Sequence, residues 1–324
     1  MQLLLASLTL GLEGIANFRL CSPSLPGIYR AGGLEQATAA DVANILDGAK
    51  IRTIIDLRND DEIEKSAASA SPYGRALLDA YDRGAPVGAG QIASEGSGVL
   101  QRLNVPILCD ADGFLDEVAN RLGPAAKAKA AMVRTFDGKG YDRILYDDIA
   151  KKRQLGLYTV MLKTSAEFGN ALEAVASRRQ SGNVLIHCAK GKDRTGVLAA
   201  LLQHVAGDDE KDILEAYAAS EGLLSDHEKA APAFMAAPTT PAPRARDPLP
   251  PRKAKIEDNP TRDAMARGVD WTSMAGSPPE AMSGTLEWLR SEHGSIDGYL
   301  ASEMALGDGY EEWRRKLLNA VRLS

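Results

Sequence analysis

The chain has 324 residues, of which 44% are hydrophobic and 25% are charged, as is ordinary for a soluble globular protein. Its net charge of -6 gives no electrostatic support for general nucleic-acid binding, and no apolar run approaches the length of an integral membrane segment. Three cysteines argue against a disulfide framework and fit a reducing compartment, so we predict a cytoplasmic protein. The apolar first ten residues lack the basic region of a signal peptide.

The first part of the chain predicts a helix followed by a buried strand. Thr38 is placed to cap a helix that ends near Gly48, and residues 52–58 predict an apolar strand that ends in charges. Asp56 and Arg58 would then lie at the carboxyl edge of a parallel sheet, where active sites gather. We favour a supporting ion pair or cap for these two residues over a catalytic role.

A second strand is predicted at residues 104–108. It follows a stretch rich in Gly and Ser, residues 84–99, which predicts a mobile loop. Asp110 comes directly after the strand, where a carboxylate is well placed to act as a general acid. A simple turn role for Asp110 is an open alternative, and Asp112 is close behind it.

Helices are predicted from 127 to 162 and again after Ser165. The segment that follows them, residues 184–198, carries the most specific indication of function in the chain. Its sequence, VLIHCAKGKDRTGVL, predicts a strand, a tight loop and a helix that ends at Gly207. Free backbone N–H groups at the start of that helix suit an anion, and Arg194 adds a planar fork of donors that matches phosphate oxygens. The same positive field favours the thiolate form of Cys188, and a thiolate facing a bound phosphoryl group is a nucleophile.

Two ordinary interpretations of this segment compete with a catalytic one. A Cys after an apolar strand is often a small core residue, and a Gly-Lys pair suggests a nucleotide-binding P-loop. The pattern GxxxxGK[ST] fails, however, because Asp193 follows Lys192. Neither alternative explains a Cys, an Arg, a Thr and a Gly together at this spacing, so we predict a catalytic loop.

A shift in composition marks residues 231–260, which are rich in proline and therefore resist packing. We predict an insertion there, either disordered or a lid beside the active site, within a single catalytic domain that spans residues 1–324. Ser277, with two prolines and a Glu after it, predicts the capped start of a further helix.

The loop sequence HCAKGKDRTG resembles the HCxxGKDRTG signature loop of the protein tyrosine phosphatase superfamily, and is closest to its atypical tyrosine and dual-specificity phosphatase-like branch in bacteria and fungi. The resemblance implies an α/β fold with a small, mostly parallel central sheet flanked by helices, and a Cys-dependent phosphatase without a metal or another cofactor. It makes Cys188 the nucleophile, Arg194 the phosphate clamp, and Thr195 the hydroxyl that assists the leaving thiolate. The general acid is either Asp110 or Asp193, which lies inside the loop next to Arg194 and could act directly or hold that Arg in place. We favour Asp110 as the acid and Asp193 as a loop residue with a catalytic contribution. The other implied substrate-binding residues are His187, which would also orient the loop, Ala189, Lys190, Gly191 and Lys192.

Two weaker stretches extend the resemblance towards both ends of the chain. Residues 17–19, Asn-Phe-Arg, resemble an NFRD-like motif, and residues 293–300 resemble the closing segment of the family. Leu20 and Ala31 stand where the family usually has an acid and a Ser. Both departures weaken the case that residues 17–31 contact the substrate, and we expect Arg19 to have a structural role.

The resemblance implies a phosphorylated protein as substrate, with phosphotyrosine first and phosphoserine or phosphothreonine as additions. A phosphoinositide or an inositol phosphate is the alternative, because Lys190 and Lys192 favour further negative groups unless they only raise the local potential. A phosphate-binding module without activity is opposed by the intact Cys188 and Arg194. An arsenate-reducing or sulfur-transfer enzyme is a further alternative, for which only Cys21 and Cys109 could supply a resolving thiol. The sequence carries no signal for the oligomeric state.

Overall fold

A computed structural model describes residues 12–79, 89–94, 98–107, 111–164, 166–224, 269, 272–302 and 309–322. Asp110, Ser165 and the Pro-rich stretch 231–260 lie outside the described residues, so the predictions made for them are not addressed by the fold.

A six-stranded sheet forms the centre of the described chain. Its strands are β1 (Arg19–Leu20), β2 (Ile28–Ala31), β3 (Ile51–Asp56), β4 (Ala89–Ser94), β5 (Gly98–Asn104) and β6 (Asn183–His187). Their order across the sheet is β1-β2-β6-β3-β5-β4. The four inner strands run parallel, while β1 and β4 pair antiparallel at the two edges. This confirms the predicted α/β fold with a mostly parallel sheet.

The second strand and the loop before it were predicted in the wrong place. β5 ends at Asn104, where the predicted strand begins, and residues 89–94 and 98–99 of the stretch that predicts a loop belong to β4 and to the start of β5. The two strands pair in unbroken register from Ala89 opposite Leu103 to Ser94 opposite Gly98. Gly and Ser mark turns by composition, but an antiparallel edge hairpin is held by backbone hydrogen bonds that composition does not reveal.

Helices cover both faces of the sheet. They are α1 (Ala39–Ala43, continued by a wide turn at Asn44–Gly48), α2 (Asp60–Ala68), α3 (Pro72–Asp79), α4 (Ala111–Asn120), α5 (Pro124–Phe136), α6 (Gly138–Thr164), α7 (Glu167–Arg178), α8 (Arg194–Ala206), α9 (Glu210–Ala218), α10 (Ser220–Leu223), α11 (Pro279–His293), α12 (Ile296–Ser302) and α13 (Tyr310–Arg322).

The helix ends test the predicted caps. Thr38 accepts a hydrogen bond from the Asp41 backbone N–H and completes a capping box, and Gly207 ends α8 in the left-handed region, both as predicted. Ser277 was wrongly predicted as a cap, because Pro278 occupies the capping position of α11. The backbone N–H of Ser277 donates instead to Glu221 Oε2 at 2.7 Å.

The alternation of side chains along β6 divides the core between the two faces of the sheet. Val184 and Ile186 pack into the larger apolar cluster, with α7, α8 and α11, whereas Leu185 packs into the smaller cluster with Ile51 and Ile54. α8 is buried along most of its length, so its N-terminus is held firmly at the carboxyl edge of the sheet. Among the described residues, no helix is long and apolar enough to cross a membrane.

Candidate active site

Three parallel strands end level with one another at the edge where Cys188 lies. Asp56, the last residue of β3, is opposite both Asn104 of β5 and His187 of β6. Cys188 follows β6 directly; it is a free thiol and only 2% exposed. The loop from Cys188 to Asp193 then leads into α8, so the predicted strand, tight loop and helix are confirmed.

Gly191 gives the loop a curvature that no other residue allows. Its φ of 64° lies in the left-handed region, and a Cβ there would come within 2.2 Å of the Ala31 carbonyl oxygen. Behind the loop, Arg30 Nη2 donates to the Gly191 carbonyl oxygen at 2.7 Å. The backbone N–H of Gly33 donates to the Ala189 carbonyl oxygen at 2.8 Å, so the segment after β2 is fastened to the loop as well.

The Asn-Phe-Arg stretch supports the same loop. Asn17 Nδ2 donates to the carbonyl oxygens of Gly191 at 2.9 Å and Lys190 at 3.1 Å. Arg19 in turn donates to the Asn17 carbonyl oxygen at 3.0 Å and to Ser220 Oγ at 3.0 Å. Burial holds the pKa of the Arg19 guanidinium well below its ordinary value, and nearby Arg30 adds to the effect. The structural role predicted for Arg19 is therefore confirmed.

Arg194 is held by a carboxylate that the sequence analysis did not single out. Its Nη1 donates to Glu62 Oε2 and its Nη2 to Glu62 Oε1, both at 2.6 Å, in a bidentate pair. A further hydrogen bond joins Nη1 to the Leu57 carbonyl oxygen at 3.3 Å. Burial alone would raise the pKa of Glu62 and lower that of Arg194, but their mutual attraction reverses both shifts. The pair is therefore ionised, with the guanidinium in a fixed plane.

Glu62 owes its position to the N-terminus of α2. Asn59 caps that helix, and the Glu62 carboxylate returns to the Asn59 backbone N–H at 3.2 Å, which completes a capping box. The sequence does carry a signal for this residue. An Asn is followed three residues later by a Glu, just after a strand that ends at the same edge of the sheet as Cys188. The same carboxylate thus starts the helix and orients Arg194.

Asp56 sits at the centre of a buried charged cluster. Arg58 Nε and Nη2 donate to the two carboxylate oxygens at 2.9 Å each, and Arg102 donates to Oδ2 as well. His187 Nε2 lies 3.4 Å from the same Oδ2. Burial would raise the pKa of Asp56, but Arg58, with His187 and Arg102, holds it well below its ordinary value. The supporting ion pair predicted for Asp56 and Arg58 is confirmed.

His187 lies inside the protein rather than at the mouth of the loop. It is fully buried, and its Nδ1 lies 3.3 Å from the Cys188 carbonyl oxygen. Burial lowers its pKa, while the Asp56 carboxylate opposes that shift without cancelling it. A buried imidazole that lies between the Asp56 carboxylate and the Cys188 backbone fits the predicted role of orienting the loop.

Asp193 is the last residue before α8 and is tied to a pair of buried tyrosines. Tyr158 Oη, from α6, donates to Asp193 Oδ1 at 2.7 Å, and Tyr217 Oη lies 2.7 Å from Tyr158 Oη. Burial, followed by the negative charge of Asp193, raises the pKa of both tyrosines. Because Tyr158 uses its proton on Asp193, Tyr217 donates to Tyr158, and the three side chains form one directed chain.

The remaining loop residues divide into those that face the site and those that do not. Thr195 Oγ1 is fully buried and makes no hydrogen bond within the described part of the chain, although it stands on the first turn of α8. Lys190 is partly exposed. Lys192, predicted beside it, is instead buried, and its ammonium binds backbone carbonyl oxygens of residues 274 and 276. Its side chain therefore does not reach the predicted substrate-binding position in this structure.

The structure thus brings His187, Cys188, Arg194 and Thr195 together with the loop between them. The described residues contain no group of three or more His, Cys, Asp or Glu side chains placed to hold a metal ion.

Comparison with known proteins gives the family of the chain. A tyrosine-protein phosphatase of Nostoc commune is 40% identical to the chain over 63 residues, which are 19% of this chain and 21% of that protein. The chain therefore spans about a fifth of the length of this curated relative. The match to the tyrosine phosphatase family is far more extensive and covers residues 26–319. The chain belongs to the tyrosine phosphatase family.

Proposed function

We propose that the chain is a Cys-dependent phosphoric monoester hydrolase that removes phosphate from phosphotyrosine. The observation that carries the proposal is the buried Cys188 at the end of β6, next to a guanidinium that Glu62 holds in place. A phosphatase of this kind needs a thiol nucleophile and a fixed bidentate phosphate ligand at the same loop.

The hydrogen bonds of Arg194 support a phosphate site. Glu62 and the Leu57 carbonyl oxygen engage Nη1 and one N–H of Nη2. The Nε–H and the second N–H of Nη2 make no hydrogen bond with the described residues. These two donors point outward, side by side, along the same edge of the planar guanidinium. That edge matches two oxygens of a phosphate, so Glu62 and the substrate would bind Arg194 at the same time.

In the first step, Cys188 Sγ attacks phosphorus and the bond from phosphorus to the substrate oxygen breaks. Asp110 gives a proton to the departing oxygen, and Arg194 with the loop N–H groups stabilises the charge on the equatorial oxygens. In the second step, water attacks the phosphocysteine, the bond from sulfur to phosphorus breaks, and the proton from water returns to the carboxylate. Thr195 donates a hydrogen bond from its hydroxyl to the leaving thiolate, for which its Oγ1, without a hydrogen-bond partner among the described residues, is suited.

Asp193 is assigned a supporting part in this scheme. Its Oδ1 accepts a hydrogen bond from Tyr158, and the side chain is mostly buried, which suits a residue that holds the start of α8 in place. This arrangement favours Asp110 over Asp193 as the general acid.

Substrate preference follows from the charges at the rim. Because the ammonium of Lys192 is bound inside the protein, Lys190 is the signature-loop lysine that is partly exposed. We place phosphotyrosine first, and a phosphoinositide second, since one lysine attracts additional phosphate groups less strongly than two would.

A metal-free substrate panel tests the proposal. The full chain, in the presence of EDTA, should hydrolyse para-nitrophenyl phosphate and a phosphotyrosyl peptide, with lower turnover of phosphoseryl peptides and of vesicles that contain phosphatidylinositol phosphates. Cys188→Ser should abolish every activity. Turnover that persists in Cys188→Ser, or that depends on an added metal ion, would refute the Cys-dependent mechanism.

A further inference from the structure

Lys192 is buried more completely than lysines usually are. Its side chain is 3% exposed, and three oxygens surround the ammonium: the Gly276 carbonyl at 2.6 Å, the Met274 carbonyl at 3.3 Å and Asp193 Oδ1 at 3.6 Å. An ammonium has three N–H donors, so each donor has one oxygen to face. The ammonium thus makes two hydrogen bonds to carbonyl oxygens and faces the Asp193 carboxylate.

Two of these three oxygens belong to a turn, residues 274–276, that is fixed from several sides. Gln154 Nε2, on α6, donates to the Ala275 carbonyl oxygen at 3.0 Å and to that of Gly276 at 3.4 Å. Gly276 has a φ of 72°, and a Cβ there would come within 2.5 Å of Glu221 Oε2. The turn at residues 274–276 therefore packs between α6, α10 and the signature loop.

Lys192 is also the neighbour of two residues with proposed roles in the reaction. Asp193, which follows it, also accepts a hydrogen bond from Tyr158 at Oδ1, the oxygen that Lys192 faces, and Arg194 comes next. A shift of the Lys192 backbone would move the start of α8, and Arg194 with it. Small displacements of this kind are costly, because catalysis depends on a bound geometry held within about 1 Å.

We propose that Lys192 is a positioning residue, which fastens the signature loop to the turn at residues 274–276 and does not touch the substrate. The inference rests on the proposed function, since its readout is turnover. It assigns the two lysines of the loop to different tasks: Lys190 faces the rim, and Lys192 holds the loop from within.

Matched substitutions of the two lysines separate these tasks. Lys192→Met keeps most of the side-chain volume and removes the ammonium, so kcat should fall on the order of ten- to a hundredfold while KM stays within about twofold. The loss should be equal for a phosphotyrosyl peptide and a phosphoinositide, and the dependence of kcat/KM on salt should stay that of the unchanged protein. Lys190→Met should instead raise KM for the phosphoinositide and flatten the salt dependence.

The opposite pattern would overturn the inference. A selective rise in KM for the phosphoinositide in Lys192→Met, or a loss of its salt dependence, would make Lys192 a substrate contact. If Lys192→Met does not fold, Gln154→Leu provides the second test, because it loosens the same turn without altering the loop. We expect a lower kcat and an unchanged KM in that variant, and an unchanged kcat would also overturn the inference.

Failure of the proposed function would look different. In that case the unchanged protein would show no turnover, and vanadate binding would replace activity as the readout. Weaker vanadate binding in both Lys192→Met and Gln154→Leu would support the positioning role, and unchanged binding in both would contradict it.

Discussion

The pair between Glu62 and Arg194 gives the most informative single substitution. Glu62→Gln keeps the shape of the side chain and one acceptor oxygen, but it replaces the other oxygen with an amide that points N–H groups at the guanidinium. One of the two hydrogen bonds of 2.6 Å is therefore lost, and the charge attraction with it. The Arg194 plane is then held less firmly, by the remaining oxygen and the Leu57 carbonyl.

The expected size follows from the burial of the pair. The Glu62 side chain is 11% exposed, so water replaces the lost bond poorly. A hydrogen bond to a charged group contributes roughly 1.5–3 kcal/mol, which places the loss of stability at about 2 kcal/mol. For a chain of this length, that free energy lowers the melting temperature by about 3 °C. Loss of a fixed Arg194 should lower kcat on the order of tenfold to a hundredfold.

Turnover of para-nitrophenyl phosphate, measured beside thermal unfolding, is the assay. Glu64→Gln is the matched control, because Glu64 is exposed on the same helix and the same change there should alter neither quantity. If Glu62→Gln lowers the melting temperature but keeps the full kcat and KM, then Glu62 only stabilises the fold. If it changes neither, the bidentate pair does not orient Arg194.

Three further outcomes are expected. Tyr158→Phe removes the donor to Asp193 and should lower kcat on the order of ten- to a hundredfold, if the roughly 1.5–3 kcal/mol of a hydrogen bond to a charged group is lost in the transition state. Tyr217→Phe should lower kcat less, and equal losses would contradict the directed chain. Burial lowers the pKa of His187 in the folded protein below 6.5, its ordinary value in the unfolded chain. Below pH 6.5 the unfolded chain therefore binds more protons than the folded one, and the free energy of unfolding should fall as the pH drops. Denaturant unfolding at pH 7.5 and 5.5 should show a smaller fall in His187→Asn, and an equal fall would refute this assignment. Asp110→Asn should slow poor leaving groups far more than good ones in a series of aryl phosphates, and equal effects would remove Asp110 as the acid.

The parts of the fold that the sequence predicts are those set by local chemistry. The loop from Cys188 to Arg194, the cap at Thr38 and the left-handed Gly207 each depend on a few neighbouring residues, and each lies where the pattern places it. The apolar run of β3 likewise predicts a buried parallel strand, with its end shifted by two residues to Asp56.

The parts that the sequence does not predict depend on contacts between distant segments. Nothing local distinguishes Tyr158 from other residues of its long helix, and its role appears only where it meets Asp193. Lys192 looks like a rim residue in a motif with other charges, yet carbonyl oxygens more than 80 residues away surround it. Glu62 has a clear local role as part of a capping box, which conceals its second partner, Arg194.

The central claim is that Cys188 carries the phosphoryl group during turnover. Rapid acid quenching of the full chain with a phosphotyrosyl peptide, followed by mass spectrometry of the peptide that contains residue 188, tests it directly. We predict a mass increase of one phosphoryl group on Cys188, which appears within the first turnover and is absent in Cys188→Ser. Hydrolysis at the normal rate with no phosphate on Cys188, or with phosphate on another side chain, would contradict the account.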